Sequence, residues 1–152
     1  MSTNSREFRE EFVHWLTECP WHFFVTLNLN RLSSRAAART HFKHLCQRVD
    51  RKVLGPRYYK RTDRRTLIIA LPEHVLSNYH FHCLALFRCR HEINERKAAH
   101  LFLSSWKEVI QSGTALVQDI PAKYTLAEYV TKELSKKGRY EEVLLSSEFW
   151  PS

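Results

Sequence analysis

Two histidines separated by a single residue, His80-Phe81-His82, lie inside an apolar run, and this arrangement is the first in the sequence that could do chemistry. On an extended strand the two-residue period sends both imidazoles to one side and sends Phe81 and Cys83 to the other. Two imidazoles on one side can share a metal ion. The chain carries nine histidines, so the bare pattern arises readily by chance, and two ordinary strand histidines would account for it. A third ligand sharpens the pattern. Glu73 ends the preceding apolar run, where a hairpin folds it back toward His80, with His74 as the competing ligand. Two imidazoles and one carboxylate accept Mn2+ or Mg2+ and leave open positions for phosphate oxygens.

A second arrangement is Tyr124-Thr-Leu-Ala-Glu-Tyr129-Val-Thr-Lys132. Thr125 and Glu128 match a capping box, so a helix is expected from Leu126 to about Lys137, with Tyr129 in its second turn. Tyr129 and Lys132 then project from one side while Leu126, Val130 and Leu134 pack. A phenol near a positive helix end with an ammonium group beside it suits attack on a phosphodiester. Taken alone, the tetrapeptide is better explained as an amphipathic tyrosine with a solvated lysine. Strand histidines, an upstream carboxylate and a downstream Tyr-x-x-Lys together make a working set.

The elements that must position these groups follow from periodicity. Phe8, Phe12, Trp15 and Leu16 predict a helix from Ser5 to Thr17, with Asn4 as N-cap and Cys19-Pro20 ending it. From His22 to Asn30 the chain alternates, Phe23, Val25, Leu27 and Leu29 on one face and Thr26 and Asn28 on the other. Ala38, Phe42, Leu45 and Val49 mark a helix from Ser33 to about Lys52, flanked by a ridge of Arg35, Arg39 and Lys43. A basic loop, Gly55 to Arg65, leads to a strand from Thr66 to Leu71 broken by Pro72, and a third strand runs from Asn78 to Phe87. Asn94 opens a helix with Ala98, Phe102, Trp106 and Val109 on its buried side, closed by Gly113, and Thr114 to Asp119 is a fourth strand.

The order α-β-α-β-β-α-β-α predicts an α+β fold, a central antiparallel sheet of ferredoxin-like or RRM-like type with helices packed on it. The patterns do not give the strand order. At 152 residues with 43% apolar content the expectation is one domain over 1–152, with a core of about 22–137, an N-terminal helix over 5–18 and a tail over 139–152.

Charge points toward a polyanion. The net charge is +8, and the stretch from Arg31 to Arg65 holds twelve basic residues against two acidic ones, so the rest of the chain is slightly acidic. Arg35, Arg39 and Lys43, with Arg57, Lys60, Arg61, Arg64 and Arg65 of the loop, are the expected contacts to a nucleic-acid backbone; Tyr58 and Tyr59 are the expected stacking residues. No run is long and apolar enough for a membrane span, and the first residues are too polar for a secretory signal. No membrane association and a cytosolic setting are therefore expected. The four cysteines, Cys19, Cys46, Cys83 and Cys89, form no C-x-x-C pair and read as free thiols.

At this point the sequence resembles the HUH endonucleases, specifically the single-tyrosine Rep class that initiates rolling-circle replication. Phe24-Val-Thr-Leu-Asn28 is similar to that family's first motif, His80-Phe-His-Cys-Leu84 to its metal motif and Tyr129-Val-Thr-Lys132 to its nucleophile motif. The likeness spans roughly residues 22–137, in the motif order of Rep proteins; relaxases, with the tyrosine ahead of the histidines, fit worse. Many viral Rep proteins add a helicase domain; nothing here is long enough to be one, so the chain is expected to be either a stand-alone nickase or a piece of a longer protein. Tyr124 stands five residues from Tyr129, whereas the two-tyrosine subclass spaces its pair by four, so Tyr124 is read as structural. The resemblance implies Tyr129 as nucleophile assisted by Lys132, and a divalent ion on His80, His82 and Glu73, with Glu73 placed only by spacing. It also implies Asn28 among the DNA contacts, single-stranded DNA at a replication origin or hairpin as substrate, a host helicase as a partner, and a bacterial cytosol or, for a viral protein, a host nucleus as its setting. A tyrosine transposase of the same superfamily and a non-enzymatic single-strand-binding module are the alternatives.

Overall fold

The computed structural model describes residues 3–73, 78–120 and 142–150. Along the chain the elements are α1 (Thr3–Glu18), β1 (Phe23–Asn28), α2 (Arg35–Leu54), β2 (Leu67–Glu73), β3 (His80–Leu86), α3 (Glu95–Val109), β4 (Thr114–Asp119) and β5 (Leu144–Leu145). The strands form one sheet in the order β4-β1-β3-β2-β5, with every neighbouring pair antiparallel. Thus β3 lies between β1 and β2, and β1 lies between β3 and β4. Each helical crossover therefore skips one strand, which is the split β-α-β arrangement of the ferredoxin-like class. The α+β antiparallel architecture expected from the sequence is the one observed.

Alternation in the strands decides which side is dry. Phe23, Val25 and Leu27 of β1, Phe81, Cys83 and Ala85 of β3, and Ile68 and Ala70 of β2 point to one face. There they meet Ala38, Phe42, Leu45 and Val49 of α2 and Ala98, Leu101, Phe102 and Trp106 of α3. Burying each large apolar side chain contributes about 1.5–3 kcal/mol, so this face holds most of the folding energy. Two caps start the covering helices: Ser34 Oγ accepts from the Ala37 N–H, and Asn94 Oδ1 accepts from the Lys97 N–H.

Among the described residues the other face is covered in part. Leu16 of α1, together with Trp21, packs on Ile69, Leu71 and Leu84, with Phe12, Trp15 and Phe24 around them. Beyond this apolar patch the same face turns polar, where Glu73, His80, Thr26 and Asn28 end or approach the ends of their strands.

Three local expectations are corrected. Asn4 lies inside α1 instead of capping it. Pro72 does not break β2; the strand continues through it to Glu73, because β5 pairs only with Ile69 and Ala70 and asks no N–H of residue 72. α3 ends at Val109 with Ile110 as its C-cap, and Gly113 serves another purpose: a Cβ there would lie 2.6 Å from the Trp106 indole. The tail joins the sheet as β5, and the buried Ser146 hydroxyl accepts from the Ile68 N–H and donates to the Thr66 carbonyl.

Among the described residues no helix is long and apolar enough to cross a membrane. All four cysteines are free, and burial pushes the Cys46 and Cys83 thiols well up from the ordinary value.

Candidate metal centre

The register builds the centre before any side chain is considered. His80 stands opposite Glu73 on β2 and opposite Asn28 on β1, while His82 stands opposite Leu71 and Thr26. Because directly paired residues share a face, the two imidazoles and the carboxylate are forced together. His80 Nε2 lies 3.2 Å and His82 Nε2 2.9 Å from the same oxygen, Glu73 Oε2. One ligand atom from each of the three residues lies within 4.8 Å of the others, close enough for one ion to touch all three. The side chains are 12–17% exposed, so the group is sheltered yet open to a small ligand.

The orientation of the rings favours a cation. His80 Nδ1 is 2.9 Å from the Asn78 carbonyl; a carbonyl only accepts, so Nδ1 carries the hydrogen and, in the neutral ring, the lone pair of Nε2 faces Glu73. His82 Nδ1 is 3.4 Å from Thr26 Oγ1, which directs its Nε2 to the same place. Two ring nitrogens aimed at one carboxylate oxygen repel it unless protons or a metal ion intervene. Outer partners on Nδ1 with Nε2 left for the ion are the usual support of metal-ligating histidines. The donor set of two imidazoles and one carboxylate fits Mn2+ or Mg2+ with positions to spare.

Sequence reasoning brought His80, His82 and Glu73 together and missed their supports. Thr26, Asn78 and Phe24, whose ring stacks on His82 at 5.5 Å between centroids, fix the imidazoles. The signal for Thr26 lay in the alternation of β1, which put it on the polar face with Asn28. Tyr129, Lys132, Tyr124 and His74 lie outside the described residues.

The expected nucleic-acid contacts are scattered. Arg35, Arg39 and Lys43 sit on α2, which packs on the opposite face of the sheet from the centre. Arg35 pairs with Glu142 at 2.6 Å, and Arg39 pairs with Glu148 at 3.3 Å while covering the Phe149 ring. Lys43, Arg57, Tyr59, Lys60 and Arg61 are exposed, and Tyr58 is half-buried. Their loop joins β2 at Leu67, roughly 20 Å along the strand from Glu73 at about 3.3 Å per residue. Arg64 faces Asp63 at 3.7 Å.

Arg65 is a correction. It is 1% exposed, its Nε donates to Asp50 Oδ2 at 2.8 Å, and its guanidinium lies between the rings of Tyr58 and Trp150. A side chain so enclosed holds the fold and reaches no external phosphate. Burial pushes the Asp50 carboxyl up from its ordinary value, against the pull of Arg65 and of the Thr66 N–H.

A cavity of about 670 Å3 opens at the end of the sheet remote from the centre, lined among others by Trp21, His22, Phe87, Glu95 and Asp119. A hydrogen bond shared with Asp119 pushes the Glu95 carboxyl up. The donor atoms and the cavity therefore lie at opposite ends of the sheet. Comparisons with family models, with curated proteins and with solved structures gave no match for this chain.

Proposed function

We propose that this chain is an HUH endonuclease and strand transferase of the single-tyrosine Rep class, which nicks and rejoins single-stranded DNA and so initiates rolling-circle replication. The observation that carries the proposal is the convergence of His80 Nε2 and His82 Nε2 on one oxygen of Glu73. A divalent ion, Mn2+ or Mg2+, would be held by these three side chains and would supply Lewis-acid stabilisation of charge on the phosphate oxygens. Thr26 and the Asn78 carbonyl hold the two imidazoles with Nε2 forward, and the open polar end of the face admits a single strand.

Tyr129 is the nucleophile in this reading. Its phenolic oxygen forms a bond to phosphorus, the bond from phosphorus to the 3′ oxygen breaks, and that oxygen takes a proton to leave as a free 3′-OH. The phosphate stays on the 5′ end, linked to the tyrosine, and the reverse reaction joins strands without ATP. An ordinary phenol ionises near pH 10, so the Lys132 ammonium is assigned to favour the phenolate during attack. A replication origin or hairpin would present the strand, a host helicase would open the duplex, and the setting would be a bacterial cytosol or a host nucleus.

The test is incubation with a pool of single-stranded oligonucleotides and Mn2+, followed by denaturing gels. The expected result is a covalent protein–DNA band that requires both metal and Tyr129 and is absent from Tyr129→Phe. Unchanged DNA binding in chelator and no adduct under any condition would replace this proposal with a non-enzymatic binding module.

A further inference from the structure

Asn28 occupies a position whose chemistry the proposed function has not yet used. It stands directly across the ladder from His80 on one side and from Thr114 on the other. Its amide is orientated by the turn that ends β1. Oδ1 accepts from the Asn30 N–H at 2.9 Å, and Asn30 adopts a left-handed backbone conformation, φ 55°.

Asn30 is itself anchored, with Nδ2 donating to the Ser112 carbonyl at 2.9 Å and to Thr114 Oγ1 at 3.2 Å. The Asn28 carbonyl accepts from Trp106 Nε1 at 2.9 Å, so the backbone of this residue is tied to the covered face of the sheet as well.

These bonds settle which end of the amide is available. An oxygen engaged by a backbone N–H cannot also ligate a metal with the same lone pair, and the opposite end of the side chain is an NH2 group with two donors. No bond among the described residues uses those donors. Beside two imidazoles and a carboxylate suited to a cation, a neutral donor is the group that adds to the binding of an anion without repelling the ion.

We propose that Asn28 is the catalytic hydrogen-bond donor to a non-bridging oxygen of the scissile phosphate, an inference that rests on the function proposed above. Its Nδ2 N–H binds the oxygen on the β1 side; an ion held by His80, His82 and Glu73 would supply positive charge to the same phosphate. Because the turn has already fixed the amide, the donor needs no reorganisation as charge gathers on the oxygen, the condition under which such a bond contributes most to rate.

The decisive variant is Asn28→Asp. Aspartate keeps an oxygen for the Asn30 N–H, so the turn survives, while the NH2 donor is replaced by a second oxygen that repels phosphate and attracts the ion. Asn28→Ser, which retains a short acceptor without added charge, is the second variant. Mn2+ affinity is measured by electron paramagnetic resonance, inorganic phosphate binding to the Mn2+-loaded protein by 31P relaxation, and cleavage by single-turnover kinetics.

The expected result is Mn2+ affinity equal to or tighter than wild type in Asn28→Asp, with weakened phosphate binding and a cleavage rate lowered by roughly 10²-fold, the usual cost of one such donor. Asn28→Ser should bind Mn2+ as wild type does and share most of the rate loss. Wild-type phosphate binding and cleavage in both variants would overturn the donor role and leave the proposed function standing. Parallel loss of Mn2+ affinity and rate in both variants would also overturn it, by showing that Asn28 acts through the metal ligands. Wild-type protein that neither binds Mn2+ nor cleaves would remove the function and this inference together.

Discussion

Among the carboxylates that stand beside cationic or basic partners, Asp50 and Glu73 make the sharpest contrast in surroundings. Asp50 accepts from Arg65 Nε and from the Thr66 N–H, each at 2.8 Å, and both side chains of the pair are at most 2% exposed. Its aromatic flanks, Tyr58 and Trp150, close it off. Glu73 instead turns one oxygen to two imidazole nitrogens, at 3.2 and 2.9 Å, at the open end of a sheet face. The first is an enclosed ion pair that ties the loop and, through Trp150, the tail to α2, with Arg65 Nη2 buried and without a hydrogen-bond partner. The second is a set of donor atoms close enough together for one ion to touch all three, and the contrast separates a charge closed off inside the fold from one left beside potential ligands.

The largest effect should come from unbalancing the enclosed pair. Asp50→Asn leaves a buried guanidinium without its counter-charge and should cost about 3–5 kcal/mol of stability by urea titration. A loss below ~1 kcal/mol would show that the pair is no more closed than Glu73. Next, Mn2+ at a hundred times its dissociation constant should stabilise the wild-type protein by about 2.7 kcal/mol in thermal or urea melts. Chelator should remove that gain, and His80→Ala or His82→Ala should abolish it while Asp50→Asn keeps it.

A finer test concerns the hydroxyl behind His82. Thr26→Val should weaken Mn2+ binding by about tenfold, the lower end of outer-partner effects, with Thr26→Ser restoring it. Equal affinities in all three proteins would mean that the Phe24 stack alone holds the ring. The smallest change in stability is expected in the exposed loop, where reversing Arg61 and Arg64 should alter folding by less than about 0.5 kcal/mol. The same reversal should lower single-stranded DNA affinity and flatten its salt dependence, as fewer counterions are released. An unaltered slope would exclude the loop from the DNA path.

Much of this was legible in the sequence because strand physics is local. A two-residue period sufficed to put His80 and His82 on one side, and a short hairpin sufficed to bring Glu73 opposite them. The apolar rows of α2 and α3 likewise named the residues that now fill the covered face. What escaped depends on contacts distant in the chain. Arg65 looked like one more member of a basic run, since nothing nearby announces that Asp50, fifteen residues earlier on a helix, will enclose it. β5 is two residues long, too short for alternation to register, and only its pairing with Ile69 and Ala70 reveals it. Strand order follows from crossovers that no periodicity encodes. The nucleophile helix expected around Tyr129 falls outside the described residues, so the phenol's part in the centre rests on the resemblance of its motif.

Pro72 bears on how the molecule behaves in company. It precedes Glu73 within β2, and β5 stops short of it, pairing no farther along the strand than Ala70. With no amide hydrogen to offer at that point, the border of the sheet cannot be zipped shut by a foreign strand laid against it. A proline that looked like a terminator in the one-dimensional text thus acts as a gatekeeper, discouraging a neighbouring copy from adding its own edge beside Glu73.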